Sequence, residues 1–234
     1  MSAPHHGLRV RTKVTALENP ILNGGSAIGR NMLLHIRNRS GGPVMSHTPK
    51  ASAEEILETF PELRDIGDEE LRASVVEIWR EVLEESGWEA VSQVPKHPYK
   101  VPATVTLVDH TRSVTQMAVA VAEVAERVQG IAFDRDLLIA AANLHDVSKL
   151  LEFEPSQSGG RASRFGHLVQ HGFFGAHKMW EKGLPLEMVH NVIVHTTTSR
   201  YLPQTWEAVI VHYVDYLDSD ALNLVHGVPL NIKK

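Results

Sequence analysis

From Ala51 onward the apolar residues recur with helical spacing. Ile56, Leu57 and Phe60 follow the polar lead Ala53-Glu54-Glu55, and Pro61 opens a second short segment. Between Asp68 and Gly87, Leu71, Val75, Ile78, Trp79 and Val82 share one face while Glu69, Glu70, Arg80, Glu84 and Glu85 lie elsewhere, and Gly87 is placed to end the helix. The run from Gln93 to Pro102 contains Pro95, Pro98 and Pro102 and reads as a linker, because proline lacks the N–H that a regular helix needs. The helical period returns in Val114, Met117, Ala118, Val121, Ala122, Ala125 and Val128, and Gly130 closes it. Asp134 or Asp136 then caps an apolar helix running through Leu137, Leu138, Ala141, Ala142 and Leu144 to His145-Asp146. Residues 154–165, rich in Ser and Gly, read as a loop, and further helices are predicted over 168–182, 186–196 and 204–220. No alternating strand pattern of any length occurs, so the expected fold class is all-α, a helical bundle.

The first 47 residues lack this patterning. Residues 1–50 carry seven Lys/Arg against one acid, a net charge of +6, which leaves −11 for the rest of a chain whose total is −5. Residues 1–47 are expected to be a basic flexible tail, 48–96 a short N-terminal helical extension, and 97–234 the main domain. The tail admits three readings: a basic arm for an acidic partner, an Arg-rich transit segment, or a stretch outside the native product, whose start is then Met45. The last accounts best for the abrupt change into patterned sequence.

Composition narrows the chemistry. There is no cysteine, which excludes disulfide frameworks, thiolate zinc sites, iron–sulfur clusters and a cysteine nucleophile, and makes a reducing cytoplasm the expected compartment. No run reaches the ~18 apolar residues of a membrane span. A chain of 234 residues can build its core without a structural metal, so a bound metal would serve chemistry. Histidine, at 14 residues, is far above ordinary usage, and with 28 carboxylates the available donors suit Fe, Mn, Zn, Ni or Co.

The most informative element is Leu144-His145-Asp146-Val147-Ser148-Lys149 at the end of an apolar helix. Adjacent helical residues point about 100° apart, so one cation does not readily take both side chains, whereas two cations about 3.5–4 Å apart can share a bridging carboxylate. The plain alternative is a helix-end histidine hydrogen-bonded to its neighbour. His110 lies just before a predicted helix and 35 residues upstream of His145, room for one helix, a turn and a returning helix. His171, His195 and Asp215 follow at separations of 24 and 20, so successive antiparallel helices can each present a ligand to one centre. Lys149 returns to the face of Asp146. Arg161 and Arg164 sit in the Gly-Ser loop, which is long enough to act as a lid; they are candidate anion contacts or merely solvated cations. His212, three residues before Asp215, could share its face.

Taken together these residues resemble the HD-domain superfamily of metal-dependent phosphohydrolases, whose pattern is His, then His-Asp, then Asp on successive helices. The likeness covers roughly residues 100–220. It implies that His110 is the first ligand, His145 and Asp146 the paired ligands and Asp215 the last. The segment Leu144-His145-Asp146-Val147-Ser148-Lys149 is similar to the HDxxK form. His171 and His195 are similar to the added histidines of the two-metal branch. The absence of a GYP tripeptide, and Thr196-Thr197-Thr198 after His195, set the chain apart from typical cyclic-dinucleotide members.

The resemblance further implies two divalent metal ions, Fe or Mn for this donor set, and hydrolysis of a small phosphate mono- or diester, nucleotide-like or another metabolite. Asp146 and Lys149 would then be catalytic, and Lys149, Arg161 and Arg164 would hold the substrate. The expected partner is a small phosphorylated molecule. The acidic body argues against nucleic acid, no membrane is expected, and a homo-oligomer stays open. Two alternatives carried with this reading are an HD-type diiron oxygenase cleaving a C–C or C–P bond, and a noncatalytic metal- or nucleotide-binding HD module.

Overall fold

Ser52 and Glu55 close a reciprocal capping box that starts α1, Ala53–Thr59. The computed structural model describes residues 49–196 and 198–232, and the expectations for residues 1–47, including a start at Met45, lie outside them. Pro61 opens a 3₁₀ turn, Pro61–Asp65, and Asp68 then caps α2, Glu69–Glu85. The buried face of α2 is Val75, Val76, Ile78, Trp79, Val82 and Leu83, the face the apolar spacing marks. Thr106 and Asp109 form a second capping box at the head of α3, Leu107–Gln129, and Gly130 ends that helix in the left-handed conformation, with φ 71°. His110 therefore lies in the first turn of α3 rather than before a helix. The reason is the Thr-x-x-Asp box, which starts the helix ahead of its apolar period.

Asp134 caps α4, Arg135–Leu144. Asp136 instead accepts the backbone N–H groups of Gly67 and Asp68, which ties α4 to the start of α2. A tight turn at 145–148 leads into α5, Lys149–Glu152. Strands β1, Phe153–Glu154, and β2, Arg161–Ala162, pair antiparallel and precede α6, Arg164–Leu168. Two residues per strand are too few to leave an alternating pattern, so this region reads as loop in sequence. After it come α7, Phe173–Glu181, α8, Leu186–Val194, and α9, Trp206–Val225. The single helix expected over 168–182 is thus broken ahead of α7. Gly172 makes the break, with φ 82° and the carbonyl of Val192 placed 2.8 Å from where a Cβ would stand.

Among the described residues the fold is all-α with one short hairpin, and no described helix is long and apolar enough to cross a membrane. One buried cluster joins Ile56, Phe60, Trp79 and Val82 from α1 and α2 to Leu107, Ile139, Leu144 and Val192 from α3, α4 and α8. A smaller cluster of Val114, Ala118, Leu138, Val211 and Val214 joins α3, α4 and α9. The helices before residue 96 are therefore one wall of the core that carries the HD dipeptide. Phe60 stacks on Trp79 at 4.6 Å, and Trp79 Nε1 donates to Asn143 Oδ1 at 2.7 Å. Lys50 closes the far end of α2 by donating its ammonium to the carbonyls of Leu83, Ser86 and Trp88.

The Trp79–Asn143 bond is buried and lies two residues before His145. Trp79→Phe, which preserves most of the packing but removes the donor, is expected to cost about 1–3 kcal/mol in urea unfolding, because Asn143 Oδ1 then stays buried without a partner. A stability unchanged from wild type would show the bond to be dispensable.

Candidate metal centre

A helix leaves its last carbonyls without intrahelical partners, and two histidines of this chain use them. His145, at the C-cap of α4, directs Nδ1 at the carbonyl of Ala142 at 2.7 Å, and His195, at the C-cap of α8, directs Nδ1 at that of Val192 at 2.6 Å. His110 and His171 are backed by carboxylates instead. His110 Nδ1 lies 2.6 Å from Asp218 Oδ2, and His171 Nδ1 lies 2.8 Å from Glu152 Oε2. A carbonyl or carboxylate can only accept, so each Nδ1 carries the proton and each neutral ring is left with a lone pair on Nε2.

All four Nε2 atoms converge on Asp146. His110 and His145 approach its Oδ2 at 3.1 and 3.2 Å, while His171 and His195 approach its Oδ1 at 3.0 and 3.7 Å. Within each pair the Nε2 atoms face each other, at 3.2 Å for His110 and His145 and 3.1 Å for His171 and His195. Asp215 Oδ1 joins the first pair, 3.2 Å from His110 and 3.9 Å from His145. Lone pairs so arranged repel unless a positive charge stands between them. Donors about 2.1 Å from one cation lie about 3.0–3.4 Å apart at square to tetrahedral angles, the spacing of all these contacts but His195–Asp146 at 3.7 Å and His145–Asp215 at 3.9 Å. The residues therefore fit divalent cations in two groups, His110-His145-Asp146 and Asp146-His171-His195, joined through one carboxylate. The six ligand candidates of the sequence are brought together.

Electrostatics point the same way. Burial opposes the charged form of His110, but Asp146, Asp215 and Asp218 outweigh it and push its pKa up to about 9. Burial likewise opposes His171, and Asp146 and Glu152 push it up to about 10. Asp146 is held well below the ordinary carboxylate range: burial works against ionisation, and Lys149, His145 and His110 overcome it. Asp215 is lowered too, His110 outweighing burial. Lys149 lies against Asp146 Oδ2 and stays charged, its pKa raised by Asp146 despite burial.

The second group opens into a cavity of ≈ 370 Å³ whose floor is Asp146, His171, His195 and Asp215. Lys149 and Lys100 bring positive charge to the lining, and His97, Thr196, Thr198, Ser219, Asn231, Phe153 and Tyr216 supply much of the rest. His110 and His145 lie beneath, 1% and 0% exposed. His97 is neutral at physiological pH, because burial and then Lys149 and Lys100 lower its pKa to about 4. Its Nδ1 accepts the backbone N–H of Tyr99, so its proton sits on Nε2.

The structure does not bring Arg161 and Arg164 to this cavity. Arg161 pairs with Glu154 across the hairpin and is 66% exposed, and Arg164 is exposed at the start of α6. His212 contacts the carbonyl of Val194 at 3.1 Å and stacks on Tyr216, which ties α9 to the end of α8. Glu152, Asp218, Lys96, His97 and Lys100 join the site without being among the candidates drawn from the sequence. Spacing could have found the first two, since Glu152 lies three residues after Lys149 and Asp218 three after Asp215. His97 and Lys100 sit in the proline-rich run and leave no periodic signal.

Neutral Nε2 is the ligand form, so metal uptake near neutral pH must displace protons from His110 and His171. Apparent affinity should rise by about tenfold per pH unit for each proton displaced. The rise should level off above about pH 9 to 10, where both rings are already neutral. Calorimetric titration of metal-free protein in buffers of different ionisation enthalpy measures the proton count directly, and an affinity independent of pH would contradict this assignment.

Comparison with known proteins gives two likenesses. Residues 107–220 match the family model of the HD domain. Over 167 residues the chain is 30% identical to the dihydroneopterin 2',3'-cyclic phosphate phosphodiesterase of Methanocaldococcus jannaschii, an alignment that covers 66% of this chain and 65% of that protein. The chain thus spans just under two thirds of that relative's length. No solved structure matches it.

Proposed function

Because the chain belongs to the HD-domain superfamily, we propose that it is a metal-dependent phosphodiesterase acting on a small phosphate ester, with the cyclic phosphate of a nucleoside-like or pterin-like metabolite as the first class to test. The observation that carries this reading is the division of Asp146, whose Oδ2 faces His110 and His145 while Oδ1 faces His171 and His195. His110, His145, Asp146 and Asp215 would hold one divalent cation and Asp146, His171 and His195 a second, and a donor set of imidazole and carboxylate suits Fe or Mn. The chemistry supplied there would be Lewis acidity, which would lower the pKa of a water and offset charge on phosphoryl oxygens.

The chain's own residues account for binding and proton control. The Lys149 ammonium, fixed charged against Asp146, stands at the cavity wall where a phosphoryl oxygen would lie. His97 holds its proton on Nε2 and offers a neutral donor to the ester, while Lys100 adds charge at the rim. Thr196, Thr198, Ser219 and Asn231 offer hydrogen bonds without charge, suited to a polar, uncharged ring or sugar. Hydrolysis adds water across one P–O bond; the hydroxyl ends on phosphorus and the proton on the departing oxygen. No protein nucleophile is needed, which agrees with a chain that has no cysteine.

The test is phosphate-ester hydrolysis by metal-loaded protein on 2',3'-cyclic phosphates and linear monoesters, with and without oxygen and chelator. Activity lost on chelation, restored by Mn²⁺ or Fe²⁺ and independent of oxygen is expected. Asp146→Ala should lower kcat/KM by about 10³-fold or more, the scale of losing several kcal/mol of transition-state stabilisation, while far-UV circular dichroism stays that of wild type. Turnover that consumes oxygen and releases no product from any ester would move the assignment to the oxygenase class.

A further inference from the structure

One carboxylate beside the metal centre has both oxygens filled by groups from separate parts of the chain. Asp218 Oδ2 faces His110 Nδ1 at 2.6 Å and accepts from Lys96 Nζ at 3.0 Å, and Oδ1 accepts from Ser113 Oγ at 2.6 Å. The side chains are nearly enclosed, Lys96 at 7% and Asp218 at 11% exposure. Enclosing an ammonium and a carboxylate is unfavourable unless each is paired and hydrogen-bonded, so the arrangement persists only because its geometry is complete. Lys96 is delivered by the proline-rich segment before α3. That segment is fastened there by the bridge between Pro95 and Thr106 and by the bond from Lys96 N to the carbonyl of Val105.

The contacts all lie behind the ring, on the side away from the cation position. A neutral imidazole can carry its proton on either nitrogen, and only the Nδ1–H form presents Nε2 to Asp146 and Asp215. A charged acceptor at Nδ1 also makes the ring a stronger donor than a backbone carbonyl does, and His145, in the same group, has only the carbonyl of Ala142 at that nitrogen. We propose that Asp218, held in place by Lys96 and Ser113, is a positioning residue of the metal centre that locks His110 in the ligating tautomer and strengthens it as a donor. The inference rests on the metal-centre reading above. It extends the working site into the segment preceding residue 107, where the family match begins.

The experiment is a calorimetric Mn²⁺ titration of the metal-free full chain, alongside proton NMR of its low-field imidazole N–H signals. Asp218→Asn keeps the shape and removes the charge. It is expected to weaken one Mn²⁺ step by about 10–100-fold, leave the other within about threefold, and move upfield the Nδ1–H signal assigned to His110. Ser113→Ala, which keeps the carboxylate and its pairing with Lys96, should weaken the same step by about two- to tenfold and carries the test if Asp218→Asn does not fold. Wild-type affinities in a folded variant, or equal weakening of both steps, would overturn the positioning role alone. A wild-type chain that takes up no Mn²⁺ would overturn the metal-centre reading and this inference with it.

Discussion

Four imidazole rings and two carboxylates meet where α3, α4, α8 and α9 come together, beside a single cavity, and this convergence constrains the rest of the fold. Such donors repel one another and are costly to bury, so they persist only where each ring is held from behind and positive charge fills the middle. The chain meets the first condition with Ala142, Val192, Asp218 and Glu152, one acceptor for each Nδ1. It prepares the second by keeping His110 and His171 ready to hold protons until a cation displaces them. Lys149 and Lys96 offset the carboxylates from the cavity side and from behind.

Helix termini do much of this work. His145 and His195 both stand where a helix runs out of partners for its carbonyls, so the same unsatisfied groups that end the helix also orient the ring. The short turn at 145–148 then lets adjacent residues serve different purposes. His145 folds back onto α4, while Asp146 faces both metal groups and Lys149 returns to it. Gly172 allows the chain to pass against the carbonyl of Val192, the same carbonyl that holds His195, and so sets the distance between the two histidines of the second group.

The helices ahead of the HD domain belong to this support. Trp79 reaches Asn143, two residues before His145, and the cluster containing Phe60 and Trp79 continues without a break to Leu144 and Val147. The proline-rich segment that follows contributes Lys96 behind His110 and His97 and Lys100 at the cavity. The two groups also differ in exposure. The rings of His110 and His145 are fully buried, whereas His171, His195, Asp146 and Asp215 line the cavity together with Lys149, Lys100 and His97.

The sequence by itself determined what periodicity and ligand chemistry can determine. The amphipathic spacing of α2 and α3, the stop at Gly130, and the absence of cysteine point to an all-α chain whose histidines and carboxylates fall on successive helices, while the choice of Asp134 over Asp136 as the cap of α4 came from packing. His110, His145, Asp146, His171, His195 and Asp215 were legible because each sits at a helix end or on a helix face at a spacing that lets antiparallel neighbours meet. The tertiary structure decided what no local rule contains. It turned His110 inward from the first turn of α3, joined Asp218 and Lys96 across 122 residues, sent Arg161 to Glu154, and drew His97 out of a linker into the cavity wall. Those outcomes depend on which surfaces pack together, and a charged side chain carries no mark in sequence of the partner that packing will bring to it.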